Sequence, residues 1–87
     1  MRYELIVTLD GEETARMQTS NPTVAFNTIR GWEETFTDFD FVEKLTNIFV
    51  TDKETKTTHT VVIDGDERYC DGEEVGRRWD EYVSFWF

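Results

Sequence analysis

Apolar and polar residues alternate over the first strand-like stretch of the chain, "YELIVTL". Its apolar side consists of Tyr3, Leu5, Val7 and Leu9. A period of two residues is typical of a β-strand with one buried face. Asp10-Gly11 follows, which is a favoured two-residue turn, and Ala15 and Met17 continue the apolar side beyond it. The pattern predicts a β-hairpin.

A helical pattern begins after the hairpin, at "SNPT". Asn21 is a favourable N-cap residue, and Pro22 suits the first helical position. Apolar residues then recur along one helical face: Ala25, Ile29, Trp32 and Phe36. These features predict an amphipathic helix that begins at Pro22.

The next stretch, "TFTDFDFVEKL", has two interpretations. Phe39 and Phe41 alternate with aspartates, as they would in a short strand. Alternatively, they lie in a loop that places two Phe side chains on the core and leads into a helical turn at Val42–Leu45. The sequence leaves both open.

The second half of the chain is predicted to contain two strands and a final helix. Two β-rich runs flank the polar turn "DKETK", and they predict strands near Thr46–Thr51 and Thr57–Ile63. Asp64-Gly65 then ends the second strand. Asp71 is a candidate N-cap for a C-terminal helix, with two glutamates close behind it near the positive helix end. The apolar face of that helix would be Val75, Trp79, Tyr82 and Trp86.

The sequence therefore predicts one α+β domain over residues 1–87, in the order ββαββα, with both helices packed on one face of an antiparallel sheet. Three Trp, three Tyr and seven Phe help a chain of 87 residues to fill one modest core. Cys70 is the only cysteine, so no disulfide is expected and a cytoplasmic location fits. The first residues lack the pattern of a signal peptide, and the apolar runs "LIV", "IFV" and "VVI" are too short to span a membrane.

Charge is the strongest feature of the composition. Nineteen acidic and nine basic residues give a net charge of −10. Nucleic acids and anionic membranes are bound through cations, so we expect direct binding to neither, and a basic protein partner is favoured. Two acidic runs supply the candidate partner-binding residues: Glu33, Glu34, Asp38, Asp40 and Glu43 in the first, and Asp64, Asp66, Glu67, Asp71, Glu73 and Glu74 in the second. Asp10, Glu12 and Glu13 form a third acidic turn.

The second acidic run does not match a calcium-binding loop. An EF-hand loop needs oxygen ligands at positions one, three and five, glycine at six and glutamate at twelve. Counted from Asp64, the last three of these positions hold Arg68, Tyr69 and Val75. Counted from Asp66, the third position again holds Arg68. We therefore expect no dedicated metal site and no cofactor.

Catalytic residues are equally hard to assemble from this chain. His59 is the lone histidine, in "TTHTVV", and is predicted to be an exposed strand residue. Cys70 lies beside Asp71, whose negative charge raises a thiol pKa, so we expect a half-buried structural cysteine rather than a nucleophile. The sequence has no Gly-rich phosphate loop and no recognisable pair of catalytic carboxylates. The chain is therefore not expected to be an enzyme.

The C-terminal segment "SFWF" places Phe85, Trp86 and Phe87 next to one another. A helix that ends in three aromatic residues carries them on more than one side. They either pack onto the sheet or form an apolar interface, because aromatic residues are typical interface anchors.

In its size, acidity, aromatic content and α+β order, the whole chain resembles the small acidic proteins of phages and mobile elements. These include anti-CRISPR inhibitors and DNA mimics, which share no common motif, so no residue is carried over by alignment. The resemblance implies a stoichiometric inhibitor in the host cytoplasm. Its partner would be a DNA- or RNA-binding nuclease, with acids such as Asp38, Asp40, Asp66 and Glu67 contacting Arg or Lys in a cleft like the PAM-reading site of a Cas9.

Two other functions remain open from the sequence. One is a structural or assembly domain of a phage or mobile element, monomeric or homodimeric through the aromatic C-terminus. The other is an accessory subunit that docks to a larger catalytic chain. Binding through charge should weaken with ionic strength, whereas an aromatic dimer contact should tolerate salt.

Overall fold

The structure, a computed structural model, describes residues 1–37 and 43–87. These described residues form six strands, two α-helices and one 3₁₀ turn. In chain order these are β1 (Tyr3–Leu9), β2 (Glu12–Thr19), α1 (Pro22–Phe36), β3 (Thr46–Asp52), β4 (Thr57–Asp64), β5 (Glu67–Cys70), β6 (Glu73–Glu74), the 3₁₀ turn (Gly76–Arg78) and α2 (Trp79–Ser84). The α+β class is confirmed, and none of the described helices is long and apolar enough to span a membrane.

All six strands form one antiparallel sheet in the order β2-β1-β3-β4-β5-β6. The predicted first hairpin is confirmed, with a two-residue turn in which Asp10 and Gly11 have φ angles of 50° and 83°. Two positive φ angles suit Asp-Gly and match the twist of the flanking strands. The predicted strands β3 and β4 are also confirmed, each longer by one residue at its C-terminal end.

α1 begins where the sequence predicts. The Asn21 side-chain oxygen accepts hydrogen bonds from the backbone amides of Thr23 and Val24, at 2.9 and 3.3 Å, and so caps the helix. Three of the four residues of its predicted apolar face are buried, Ala25, Ile29 and Phe36, and Trp32 is half-buried. α1 thereby carries the chain from the edge strand β2 across the sheet to β3.

The predicted order ββαββα is wrong, because four strands rather than two follow α1. Asp71 does not cap a helix. Asp71 and Gly72 have φ angles of 50° and 83°, the same as the turn at Asp10-Gly11, and they join β5 to the short strand β6. An N-cap residue needs an extended backbone instead, so the turn geometry excludes that role. Asp-Gly here forms a second hairpin.

α2 consequently begins only at Trp79, and its buried face differs from the predicted one. Trp79 and Val83, four residues apart, are buried, whereas Tyr82 is 39% exposed. Both helices contact the same face of the sheet, where the buried apolar strand residues are Tyr3, Leu5, Val7, Leu9, Ile48, Val50, Val61, Ile63 and Cys70. The opposite face of the sheet carries the side chains between them.

The ambiguous stretch after α1 is only partly described. The predicted strand or loop around Asp38, Phe39, Asp40 and Phe41 lies outside the described residues, as does Val42. Residues 43–45 form a turn and a bend that lead into β3.

Candidate functional site

Three acidic segments that are distant in sequence meet at one end of the sheet. The Asp10 amide donates to the Leu45 carbonyl, and the Leu45 amide donates to Asp10 Oδ1, both at 2.8 Å. These bonds join the β1–β2 turn to the segment that enters β3. Thr46 at the start of β3 pairs with Ile63, so the β4–β5 turn at Gly65 and Asp66 lies at this same end.

We call this region the acidic end. Its members are Asp10, Glu12, Glu13, Glu43, Asp64, Asp66, Glu67 and Glu74, all exposed to solvent. Glu13 has a cationic partner, Arg16, with an Arg16 Nη2 to Glu13 Oε1 distance of 2.7 Å. Strand register rather than sequence proximity therefore gathers acidic side chains from three separate runs at one end of the sheet, where Lys44 is an exposed cation beside Glu43.

Arg68 is the one base within the second acidic run, and its side chain is bonded to the β4–β5 turn and to α1. Its guanidinium donates to the carbonyls of Gly65 and Glu67, at 2.8 and 2.9 Å, and lies 3.4 Å from Glu33 Oε1 on α1. The Arg68 side chain is only 12% exposed. Glu33 is thus partly neutralised, whereas its neighbour Glu34 is exposed.

The predicted partner-binding residues do not all reach the acidic end. Asp38 and Asp40 lie outside the described residues. Glu73 pairs with Cys70 and therefore lies on the helix-covered side of the sheet edge. Asp71 is turned toward β4, where its Oδ1 accepts a hydrogen bond from the Thr60 amide at 2.9 Å.

His59 lies on strand β4 as predicted, but it is half-buried rather than exposed. His59 Nδ1 lies 2.7 Å from Asp71 Oδ2, and its ring stacks on Trp86 with a centroid distance of 4.5 Å and an interplanar angle of 6°. The side chain is 26% exposed. Asp71, whose backbone is fixed by its hairpin turn, supplies the partner that the sequence did not reveal. The contact holds the C-terminus against the sheet.

Cys70 is more deeply buried than predicted, at 5% exposure. Burial raises the pKa of its thiol to about 11, and the Asp71 carboxylate adds to the rise. Its Sγ lies 3.8 Å from the Trp79 carbonyl, the acceptor of a weak S–H hydrogen bond. The upward direction of the predicted pKa shift is confirmed, although burial is its larger cause. A thiol that stays protonated in the core is a poor nucleophile.

At the other end of the sheet, Arg2 and Lys53 are paired with acids, and Lys56 in the β3–β4 turn is exposed. We call this end the paired end, formed by Arg2, Glu4, Asp52, Lys53 and Glu54. Arg2 Nη2 lies 3.0 Å from Asp52 Oδ2, and Arg2 Nε lies 3.4 Å from Glu54 Oε2. The Arg2 guanidinium lowers the pKa of Asp52, helped by the Glu54 backbone amide.

The face of the sheet without helices carries a second feature, which the sequence analysis missed. Four half-buried side chains on four neighbouring strands form an apolar stripe: Ile6, Phe49, Val62 and Tyr69. Phe49 and Val62 are offset diagonally, because Phe49 pairs with Thr60 and Val62 with Asn47. Ile6 pairs directly with Phe49, and Val62 with Tyr69. Each of the runs "LIV", "IFV" and "VVI" contributes its middle residue, which is the signal that reveals the stripe.

Tyr69 links this apolar stripe to the acidic end. Its hydroxyl donates to Glu67 Oε2 at 2.5 Å. That bond raises the pKa of the Tyr69 phenol to about 12, and the Glu67, Glu74 and Asp64 carboxylates add repulsion against a phenolate. The apolar stripe and the negative surface therefore adjoin one another on the same face.

The aromatic C-terminus is mostly committed to the fold. Phe87 packs edge-on against Tyr3, with ring centroids 5.1 Å apart, and Trp86 stacks on His59. Phe85 is 86% exposed. The predicted apolar interface of Phe85, Trp86 and Phe87 thus reduces to one freely exposed ring.

A polar groove of about 340 Å³ lies between α1 and the start of α2. Its lining includes Asn27, Arg30, Glu34 and Asp80. Across residues 1–37 and 43–87, no group of three or more His, Cys, Asp or Glu side chains is arranged to hold a metal ion. That the chain is not an enzyme stays a prediction.

Fold and surface together define a small α+β protein with a negatively charged sheet end beside an uncovered apolar stripe. No protein-family profile matches the chain, and comparisons with curated proteins and with solved structures also give no match.

Proposed function

We propose that this protein is a non-enzymatic interaction protein that binds a basic surface of a nucleic-acid-handling protein and competes there with nucleic acid. The observation that carries the proposal is the convergence of three acidic segments at the acidic end, while Arg2 at the paired end is bound to two carboxylates. Charge that is not used in the fold remains available to a partner.

The spacing of these carboxylates supports competition with a polyanion. Side chains that face one another on neighbouring strands lie roughly 5 Å apart, as Asp64 and Glu67 do by register. Phosphates follow one another about every 3.4 Å of axis along one DNA strand. The two spacings are of the same order, so a cleft that binds phosphates with Arg and Lys would also accept this end of the sheet.

The net charge of −10 supports rapid capture of such a partner. A strong field of one sign steers an oppositely charged partner into encounter, and salt screens that field. The interaction should therefore be fast and should weaken steeply with ionic strength.

The test uses the protein as bait in a bacterial lysate, with mass spectrometry of what elutes at high salt. A double charge reversal at the acidic end, Asp66→Lys with Glu74→Lys, should weaken capture by about tenfold or more. The matched control, Glu54→Lys with Glu81→Lys, changes the charge equally at two exposed sites away from the acidic end and should capture normally. Duplex DNA added to the loaded beads should release the partner.

Two results would contradict the proposal. One is capture that is unaffected by salt and equal for both double variants, which would show that the charge serves solubility. The other is a basic partner that DNA does not release, which would retain charge-driven binding but exclude competition with nucleic acid.

A further inference from the structure

We propose that the apolar stripe is the docking site for a basic amphipathic helix of the partner, with the acidic end holding the cations that flank the apolar side of that helix. This inference rests on the proposed function, because it names the segment that the same partner would insert. It adds a specific surface and a specific secondary structure.

The length of the stripe across the sheet matches the length of a short helix that could dock on it. Ile6, Phe49, Val62 and Tyr69 lie on β1, β3, β4 and β5, which are adjacent in the sheet. Four strands spaced about 4.8 Å apart span roughly 14 Å. About ten helical residues cover that length. Sheets bury apolar residues against helices, and α1 and α2 both lie on the other face.

Charge complementarity identifies this helix as basic. The stripe is bordered toward the acidic end by Glu13, Asp64, Glu67 and Glu74, which share its face by register. On the same face, Arg16 is paired with Glu13 and Glu4, and Lys53 lies 3.8 Å from Glu4. Glu67 accepts the Tyr69 hydroxyl, so the carboxylates that lysine or arginine beside the apolar side of a docked helix would meet first are Asp64 and Glu74, both exposed.

The same charges oppose a second copy of this chain as the occupant. Two copies packed face to face would each bring a net charge of −10 to the contact. Self-repulsion of that size keeps proteins monomeric. Phe85, whose side chain is 86% exposed, lies in the segment after α2 rather than on the open face of the sheet.

The probe is a synthetic amphipathic helix of about 14 residues built from lysine and leucine, titrated into the labelled full chain while amide chemical shifts are recorded. A peptide of equal charge with serine in place of leucine is its control. The leucine peptide should bind at least tenfold more tightly. Shift changes should concentrate on the strand residues of the stripe and leave the segment around Phe85 unaffected.

Matched variants separate the stripe from the aromatic tail. Phe49→Ser should weaken binding of the leucine peptide by about tenfold, and Phe85→Ser, the same change at the exposed ring, should not change it. Val62→Thr, which nearly preserves side-chain volume, serves as a second stripe variant if Phe49→Ser fails to fold. An amide spectrum of each variant establishes that it is folded.

Each result decides one of the two proposals. If both peptides bind equally, lose affinity with salt and are unaffected by Phe49→Ser, the docking site is overturned and the proposed function stands. If shifts map to Phe85, the aromatic tail replaces the stripe. If the chain self-associates through the stripe, the occupant is a second copy instead. If neither peptide binds at low salt, the proposed function itself fails.

Discussion

The carboxylates at the two ends of the sheet differ in whether they are paired with cations or exposed to solvent. At the paired end, Arg2 bridges Asp52 and Glu54, and Asp52 is only 7% exposed. At the acidic end, eight exposed carboxylates lie around the turns, and of these only Glu13 has a cation bonded to it within the described part of the chain. Arg68, the base of the second acidic run, is bonded to backbone carbonyls and Glu33 instead. Aspartate and glutamate thus contribute to the stability of the fold at one end, whereas at the other end they lie mostly in solvent.

The difference shows which charges the fold needs. A paired carboxylate stabilises the native state, because its pKa falls below the value it has in the unfolded chain. Exposed like charges repel one another and destabilise a compact state. Their concentration at one end, away from the paired end, is the observation on which the proposed binding function rests.

The largest expected effect is on stability, and it tests whether the aromatic C-terminus packs against the sheet next to Arg2 of the paired end. Phe87 packs on Tyr3. The Arg2 guanidinium lies over the Tyr3 ring, with its central carbon 5.0 Å from the ring centroid. Phe87→Ala should lower the free energy of unfolding by about 2 kcal/mol, since the ring is half-buried. The matched Phe85→Ala removes an exposed ring and should change it by less than about 0.5 kcal/mol. Urea unfolding followed by tryptophan fluorescence measures both.

The reverse order of these two effects would show that the C-terminus does not pack as described. A change in sedimentation on Phe85→Ala, with stability unchanged, would show that this ring joins two copies of the chain.

The next comparison places the same substitution at each end. Asp52→Ala should destabilise the protein, because it leaves the Arg2 guanidinium and the Glu54 amide without their acceptor. Asp66→Ala should leave stability unchanged or raise it slightly, since it relieves repulsion at the acidic end. Urea unfolding at neutral pH and low salt distinguishes them, and an equal loss for both would remove the distinction between the ends.

The pH dependence of that difference follows from the direction of the Asp52 pKa shift. Asp52 has its pKa lowered from 3.8 in the folded protein. Its ionised form therefore contributes stability above the pKa of the unfolded chain, and this contribution is lost as the pH falls through the lower folded pKa. Wild type and Asp52→Ala should differ in stability at neutral pH and converge in acid. A difference that persists in strong acid would mean that side-chain packing, not charge, is responsible.

The sequence predicted the elements that depend on local pattern and failed where one turn had two possible roles. Alternation identified the first hairpin, and Asn21-Pro22 identified the start of α1, because each signal acts within a few residues. Asp71-Gly72 carries the same turn signal as Asp10-Gly11. The two glutamates and the apolar residues that follow Asp71-Gly72 also matched the pattern of a helix start. The structure has a hairpin there because β5 pairs with β4 and with β6.

The candidate site was predictable in composition but not in position. The acidic runs are visible in the sequence, but their meeting depends on the antiparallel register that places Asp10 beside Leu45. The partner of His59 depends on the second hairpin, which brings Asp71 back to β4. The apolar stripe was present in three short runs, and only the assignment of faces shows that Ile6, Phe49 and Val62 lie on the uncovered one.

The smallest expected effect uses Tyr69 as a reporter of the acidic end. Glu67 accepts its hydroxyl hydrogen bond and raises its pKa from 10.0 to about 12, with smaller contributions from Glu74 and Asp64. Since the neutral phenol is favoured, the stability it contributes is present below the ordinary tyrosine pKa and is lost as the pH rises toward about 12. Glu67→Gln should return the pKa toward 10.0, and Glu74→Gln should lower it less.

The titration is followed by tyrosinate absorbance, with Tyr69→Phe identifying the contribution of this residue. Glu54→Gln at the paired end is the matched control and should leave the Tyr69 pKa unchanged, because exposed charges separated by more than about 10 Å are largely screened at moderate ionic strength. Added salt should reduce the effect of Glu74→Gln and preserve most of the effect of Glu67→Gln, since a direct hydrogen bond is screened less than a distant charge. If all three glutamate variants lower the pKa equally, Tyr69 senses the net charge of the whole chain, and the acidic end has no local field of its own.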